Sequence, residues 1–437
     1  MEAYLLEWAG LLLRWLHVIV AIAWIGSSFY FVWLDNHLTP PADAGLRDKG
    51  VGGELWAVHG GGFYNPQKYL GAPPQLPSHL HWFYWESYST WMSGFALFTL
   101  LYLFNPKTYL IDPNVANLSA SVAVLSALGF LVAGWIIYDL LCRLFSKNEK
   151  LLSAMVFFLV VAATWLACHV FAGRAAFLII GAMIATIMSA NVFFWIIPGQ
   201  RKVVASMRAG EPVDPIHGQR GKQRSVHNTY FTLPVLFAML SNHYSMTYSH
   251  PDNWIVLVVL MSAGVLVRQF FIKRHKGVSD PFYPIAALIL IAAVIVWIAP
   301  NFPPATSSAT VENQSKVAVN TAQQNFAEVQ NIMQARCVQC HSAHPTLLDF
   351  PAKGLLLDQP EVVKAKAQII YQQVVQQKIM PLGNLTHITD EERARIATWY
   401  EQEAQGSNPA TNSVPANAPT PAPATAATSD PATTQGK

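Results

Sequence analysis

The chain has 437 residues, of which 52% are hydrophobic and only 12% charged, with a formal net charge of +3. A water-soluble domain carries about 25% charged residues, so this composition excludes an ordinary soluble protein and points to one embedded in a membrane. The positive excess is too mild for a nucleic-acid partner.

Apolar runs long enough to cross a bilayer, which takes about 20 residues, lie at 10–34, 86–104, 118–141, 151–172, 175–197, 229–247, 253–272 and 282–299. None alternates like a barrel strand, so the predicted fold is all-α, with an eight-helix transmembrane bundle over residues 1–300. The first run is too long for the core of a signal peptide and lacks a small-residue cleavage site, so it counts as a span. Lys and Arg divide unevenly between the connections. The loops 35–85, 142–150, 198–228 and 268–281 carry sixteen; the other side carries three, Arg14, Lys107 and Arg174. The excess of cations marks the cytoplasmic side. The expected location is therefore a bacterial inner (cytoplasmic) membrane, in contact with its lipid, with the N- and C-termini periplasmic.

Within this bundle the ionisable residues carry the information, because a charge at membrane depth is costly. His17, His169 and His243 fall toward the periplasmic ends of their spans. Three histidines in one layer are candidate ligands of a second, b-type haem; the alternative is a hydrogen bond from each to a neighbouring helix. On the cytoplasmic side the loop before the second span holds His59, Lys68, His79, His81 and Glu86 among Trp56, Phe63, Tyr64, Trp82 and Trp85. Titratable groups beside flat rings suit a planar, anionic heterocycle, whereas the rings alone would suit an interfacial belt. The run Gly60-Gly61-Gly62 lets backbone approach a ligand or turns the chain. His227 opens the sixth span on the same side. Asn191 and Asn242 read as helix–helix hydrogen-bonding residues, and Cys142 and Cys168 as buried free thiols.

Residues 301–320 form a polar linker with prolines at its start. A small helical domain is expected over 321–404. Phe326, Val329 and Ile332 share one helical face ahead of C-V-Q-C-H, in which Cys337 and Cys340 bind a c-type haem covalently and His341 takes its iron. The capping box of Thr389 and Glu392 opens a last helix. This stretch resembles a class I cytochrome c, and in that family the Met before Pro is the second iron ligand, here Met380. Met333 precedes the haem motif and His344 follows it too closely, so neither is favoured. Residues 405–437 form a disordered Ala/Pro/Thr-rich tail.

Four stretches of the membrane part, VHGGGFYNPQKY, LHWFYWESYSTWMSG, GAMIATIMSANVFFWIIPGQRK and HNTYFTLPVLFAMLSNHY, are similar to the membrane-bound bacterial urate hydroxylases, or urate oxidases. That family joins a multi-span domain to a C-terminal cytochrome c. The resemblance covers residues 1–405 and implies oxidation of urate to 5-hydroxyisourate. Electrons would pass to the cytochrome c rather than to dioxygen, and on to soluble or membrane cytochromes or a terminal oxidase. On this reading His59, His81 or Glu86 is the general base that deprotonates urate. Lys68 stabilises the urate anion, and water adds at the oxidised C5. The hydrocarbon core is about 30 Å thick, so electrons leaving a cytoplasmic site need an intermediate carrier. The second haem would be that carrier; without it, a pocket beside His17, His169 and His243 is the better site. The competing function is a non-catalytic electron-transfer subunit relaying from quinol or a partner dehydrogenase.

Overall fold

The computed structural model describes residues 2–71, 73, 75–299, 315–347, 355–376 and 378–406. The expected linker up to residue 314 and the expected tail from residue 407 lie outside the described residues.

Helix α1 (Glu2–His37) lengthens the first apolar run at both ends and lies at the rim of the bundle, with Leu11, Trp15 and Ile22 turned outward. The loop after it is partly ordered. A short α2 (Ala44–Asp48) is capped by Asp43, whose carboxylate accepts the Gly45 N–H at 2.9 Å. Strand β1 (Val51–Glu54) then pairs antiparallel with β4 (Gln67–Tyr69), and β2 (Ala57–His59) with β3 (Gly62–Tyr64). Gly60 and Gly61 form the turn of the inner hairpin at φ +59° and +80°. A two-residue hairpin turn demands this left-handed conformation and glycine supplies it without strain. Of the two roles read for the triple glycine, turning the chain is the one observed.

The bundle continues with α3 (Trp85–Phe98), extended by a π-helical turn over 99–103, and α4 (Pro106–Tyr109). Next come α5 (Ala120–Leu144), α6 (Glu149–Val170) and α7 (Gly173–Asn191). A second π turn, 192–196, joins α7 to α8 (Ile197–Ala209). Then follow α9 (Pro215–Leu240), α10 (Ser245–Tyr248), α11 (Asn253–His275) and α12 (Phe282–Trp297). Each of the eight expected spans overlaps a helix, although 229–247 runs past the end of α9, through the turn Ser241–His243, into α10. Among the described residues five helical stretches are long and apolar enough to cross a membrane: 8–37, 120–144, 149–170, 173–209 and 253–275. Of the other three, α12 is apolar but short, α3 is broken by its π turn, and α9 begins with a polar half. The chain is an all-α membrane bundle.

Its hub is α7, which packs on α3, α5, α6 and α9 and buries most of its side chains. Small residues let the backbones approach. A Cβ on Gly181 would come 2.8 Å from that of Ala238 on α9, and one on Gly134 of α5 would collide with Met183. Helix pairs in lipid gain their stability from such close packing rather than from expelling water.

The C-terminal part is a second helical cluster. It comprises α13 (Ser315–Arg336), α14 (Pro360–Ala365), α15 (Ala367–Ile370) with a π turn over 371–376, and α16 (Asp390–Gly406). Val329, Ile332 and Met333 of α13 meet Ile396 and Trp399 of α16 in one core, and the Phe326 and Trp399 rings lie 5.6 Å apart. The face read from the sequence is therefore the buried one. The capping box is also present: the Thr389 N–H donates to Glu392 at 2.8 Å and the Glu392 N–H to the Thr389 hydroxyl at 3.2 Å. Ile379 of this cluster packs against the apolar core of the bundle that holds Phe98, Tyr102 and Leu110, and the turn Leu382–Asn384 touches α4.

Candidate active site

At the end of the bundle that bears the 35–85 loop, α1, α3, α8, α9 and the junction after α7 enclose a cavity of about 400 Å³. Glu86 stands in the first turn of α3 and reaches its wall. A carboxylate is favoured there by the positive end of the helix dipole. Its Oε2 is buried and has no hydrogen-bond partner. Leaving such an acceptor unmet costs about 1–3 kcal/mol or more.

The lip is aromatic. His81 stands edge-on to Phe83 at 4.7 Å, and Phe83 edge-on to Phe31 of α1 at 4.9 Å. Trp82 and Trp24 complete the flat surfaces, while Asn228, Thr229 and Thr232 of α9 and Gln200 of α8 supply polar groups. Asp35 also lines the cavity and is paired with Lys68 at 2.8 Å on the half-exposed side. Lys68 therefore reaches the rim but is neutralised there. His59 stands at the exposed turn of the β2–β3 hairpin and is not part of the wall. The structure thus brings His81 and Glu86 together, holds Lys68 at the edge through Asp35, and leaves His59 apart.

Behind the wall lies a buried polar network. The Asn191 amide donates to Asn228 Oδ1 at 3.0 Å and to the Tyr138 hydroxyl at 3.1 Å, and Tyr138 in turn pairs with His227 Nδ1 at 2.7 Å. The Asn228 amide donates to the Met188 carbonyl at 3.0 Å, which fixes the side chain that faces the cavity. Beside it the Asp139 carboxylate accepts from Arg224, Arg143 and Trp195, each at 2.7 Å. Asn191 was legible in the sequence as a helix-bonding residue. Asn228 and Asp139 were not, because Met188 for the one and Arg224 and Trp195 for the other lie on other elements far along the chain.

Among the described residues the three histidines read as candidate ligands of a second haem are not gathered. His17 Nδ1 meets the Thr90 carbonyl at 3.1 Å and the Ser93 hydroxyl at 3.0 Å on α3. His169 bonds the Trp165 carbonyl of its own helix at 2.7 Å and is exposed, as is His243. Helix α1 packs on α3, α9 and α11, whereas α6 packs on α5, α7 and α11.

These features decide little about the reaction alone, but the sequence of this bundle matches a known family model, urate oxidase N-terminal, over residues 3–299. The chain belongs to the urate oxidase N-terminal family. It is therefore a urate-related oxidoreductase of the membrane. No curated protein and no solved structure matches it.

In the C-terminal cluster Cys337 is buried in the same core as Met333, with Met380 packed against it, and the His341 N–H donates to the Cys337 carbonyl at 2.9 Å. Burial pushes the Cys337 thiol up to about 12. The buried Arg393 guanidinium donates to the Met380 carbonyl at 2.9 Å and to the Val374 carbonyl, tying the Met380 loop to α16. Among the described residues no group of three or more His, Cys, Asp or Glu side chains could hold a metal ion. An iron taken by one His and one Met of a covalently tethered haem needs no such group. Cys337, Cys340, His341 and Met380 are of the donor types that a c-type haem would take.

Proposed function

We propose that this protein oxidises urate to 5-hydroxyisourate in the cavity at Glu86 and gives the electrons to a c-type haem on its own C-terminal domain, residues 321–404. The balance is urate plus water to 5-hydroxyisourate, two protons and two electrons. The carrying observation is Glu86, half-buried in the wall of a flat-walled cavity with its Oε2 lacking a hydrogen-bond partner, in a chain of this family. A purine N–H entering the cavity gives Glu86 Oε2 the donor it lacks. Transfer of that proton to Glu86 makes the purine more electron-rich and easier to oxidise. The rings of Phe83, Trp82 and Trp24 flank the heterocycle and restrict water. Asn228, held by Asn191 and Met188, orients a purine carbonyl. His81, at the exposed lip, passes the protons to solvent.

Cys337 and Cys340 would hold the haem, with His341 and Met380 on the iron, and bound there it accepts one electron at a time. The positive-inside count supports a cavity on the cytoplasmic side of an inner membrane and this domain in the periplasm, where a soluble or membrane-bound cytochrome or a terminal oxidase would collect the electrons. Purified protein should consume urate with an artificial one-electron acceptor and no dioxygen uptake. Failure to turn over, or turnover only with dioxygen consumed and hydrogen peroxide released, would overturn the assignment.

A further inference from the structure

Two guanidinium groups lie buried in the bundle among the described residues, those of Arg224 and Arg268. Arg224 is paired with Asp139 at 2.7 Å. Arg268 of α11 has no such partner. Its Nε and Nη2 are buried and form no hydrogen bond, and among the described residues no carboxylate lies within ion-pair distance of it. It stands over the ring of Phe29 on α1, 4.0 Å from the centroid. A guanidinium does not give up its proton, so a full positive charge is left unbalanced among the helices, where an unpaired charge is costly. Its neighbours fix its position. Phe29 follows Ser28 on α1, and Ser28 lines the Glu86 cavity. Gln269, next to Arg268, accepts from the Tyr230 hydroxyl of α9, and Tyr230 follows Thr229, which lines the same cavity. Arg268 therefore stands at the level of the cavity, one side-chain layer behind the wall that α1 and α9 share. The ends of α1 and α11 meet at His37 and His275, whose rings are 5.4 Å apart. Phe29 and Arg268 come eight and seven residues earlier. That is about 10–12 Å further in, inside the apolar layer rather than among lipid headgroups.

The cavity has the opposite imbalance. Its lining includes Asp35 and Glu86 but, among the described residues, no Lys or Arg. Lys68 at the rim neutralises Asp35, which leaves the negative charge of Glu86. Urate is itself a monoanion at neutral pH. A carboxylate and an anionic purine in one cavity repel each other unless a positive charge stands near both. We propose that Arg268 is the counter-charge of bound urate, a positioning residue that holds the purine as its anion through the seam between α1 and α9. The inference rests on the function proposed above. Arg268 does not touch the reacting atoms; its charge acts across one layer of side chains. Transfer of a purine proton to Glu86 moves one negative charge from the carboxylate to the ring and leaves the total unchanged. Arg268 therefore acts mainly on binding, whereas Glu86 acts on the chemical step. Two charges one helix layer apart, about 8–10 Å, in a medium of effective dielectric about 20, shift a binding equilibrium by roughly 10- to 30-fold. Packing alone asks for no charge here, since an apolar chain of the same length would cover Phe29 without leaving two buried N–H groups unmet.

The test measures binding apart from turnover. Full-length protein is kept reduced and free of dioxygen, so that bound urate cannot pass on electrons, and labelled urate is titrated by equilibrium dialysis. Arg268→Met is expected to weaken urate binding by about 10- to 30-fold, and Arg268→Lys, which restores the charge, to recover most of it. Inhibition by hypoxanthine, a purine that is neutral at the same pH, should change by less than about twofold. In turnover KM should rise in the Met variant while kcat stays nearly constant. Without ligand the Met variant should lose its monodisperse chromatographic peak at a temperature no lower than wild type, because it no longer buries an unpaired charge. A Met variant that binds urate as tightly as wild type would overturn the proposal. So would an equal loss of affinity for urate and hypoxanthine with a lowered melting temperature, which would make Arg268 part of the packing alone. An anionic phospholipid that copurifies with wild type and is lost from the Met variant, at unchanged urate affinity, would make a lipid the counter-ion and overturn it as well. Failure of wild type to bind urate would instead remove the function on which the inference rests.

Discussion

Replacing Glu86 by Gln is expected to lower kcat/KM for urate by about 10²–10⁴-fold, the usual contribution of a positioned general base. The substitution keeps the shape of the wall and the position in the first turn of α3. It removes the charge that the helix terminus favours and the group that can take a proton. Because Oε2 has no partner in the protein, a neutral amide leaves no bond broken in the resting site, so folding and haem content should be unchanged. A fall in kcat at nearly constant KM would mark Glu86 as the base, since the lost interaction would then belong to the transition state. Near-normal turnover at normal haem content would move the base elsewhere, with His81 next in position.

The largest effect on stability is expected at Asp139. This single carboxylate, barely exposed, satisfies Arg224, Arg143 and Trp195, and Arg224 is itself buried. Removing it as Asp139→Ala strands the Arg224 guanidinium among apolar helices. Breaking a buried pair in this way costs about 3–5 kcal/mol. Detergent-solubilised protein should then show a markedly lower temperature of loss of the monodisperse chromatographic peak. The pair itself contributes less than its breakage costs, because both charges had to leave water. Asp139→Leu with Arg224→Met should therefore recover most of the loss. A single variant as stable as wild type would show that Arg224 finds another acceptor.

Much of this architecture is legible in the sequence, for reasons that differ along the chain. The apolar runs reveal the helices because lipid imposes a length rule on each segment separately. The capping box at Thr389 and the Phe326–Val329–Ile332 face are equally local, and both stand in the structure. Helix α9 is longer than its apolar run. It starts at Pro215, capped by Asp214, and its first turns are polar, so hydropathy is blind to them. The four short strands leave no mark in the pattern because a run of three or four residues has no period to detect.

The site divides in the same way. His81 and Glu86 are visible because titratable residues beside rings are unusual in a greasy chain. Asn228, Asn191 and Asp139 matter through partners 37 to 85 residues away, a relation that only the packed helices create. His59 illustrates the converse. It is close in sequence to the other candidates, but the turn at Gly60 and Gly61 places it in a hairpin outside the cavity wall.

The central claim is that this one chain both oxidises urate and carries the electrons away. Washed, oxidised membranes holding the protein, kept free of dioxygen and without added quinol or dehydrogenase, test it directly when urate is added. The account predicts growth of the ferrous c-type haem band on mixing, to a limit of two haems reduced per urate consumed. A haem that stays oxidised with urate alone and is reduced only when quinol or a partner dehydrogenase is supplied would contradict it.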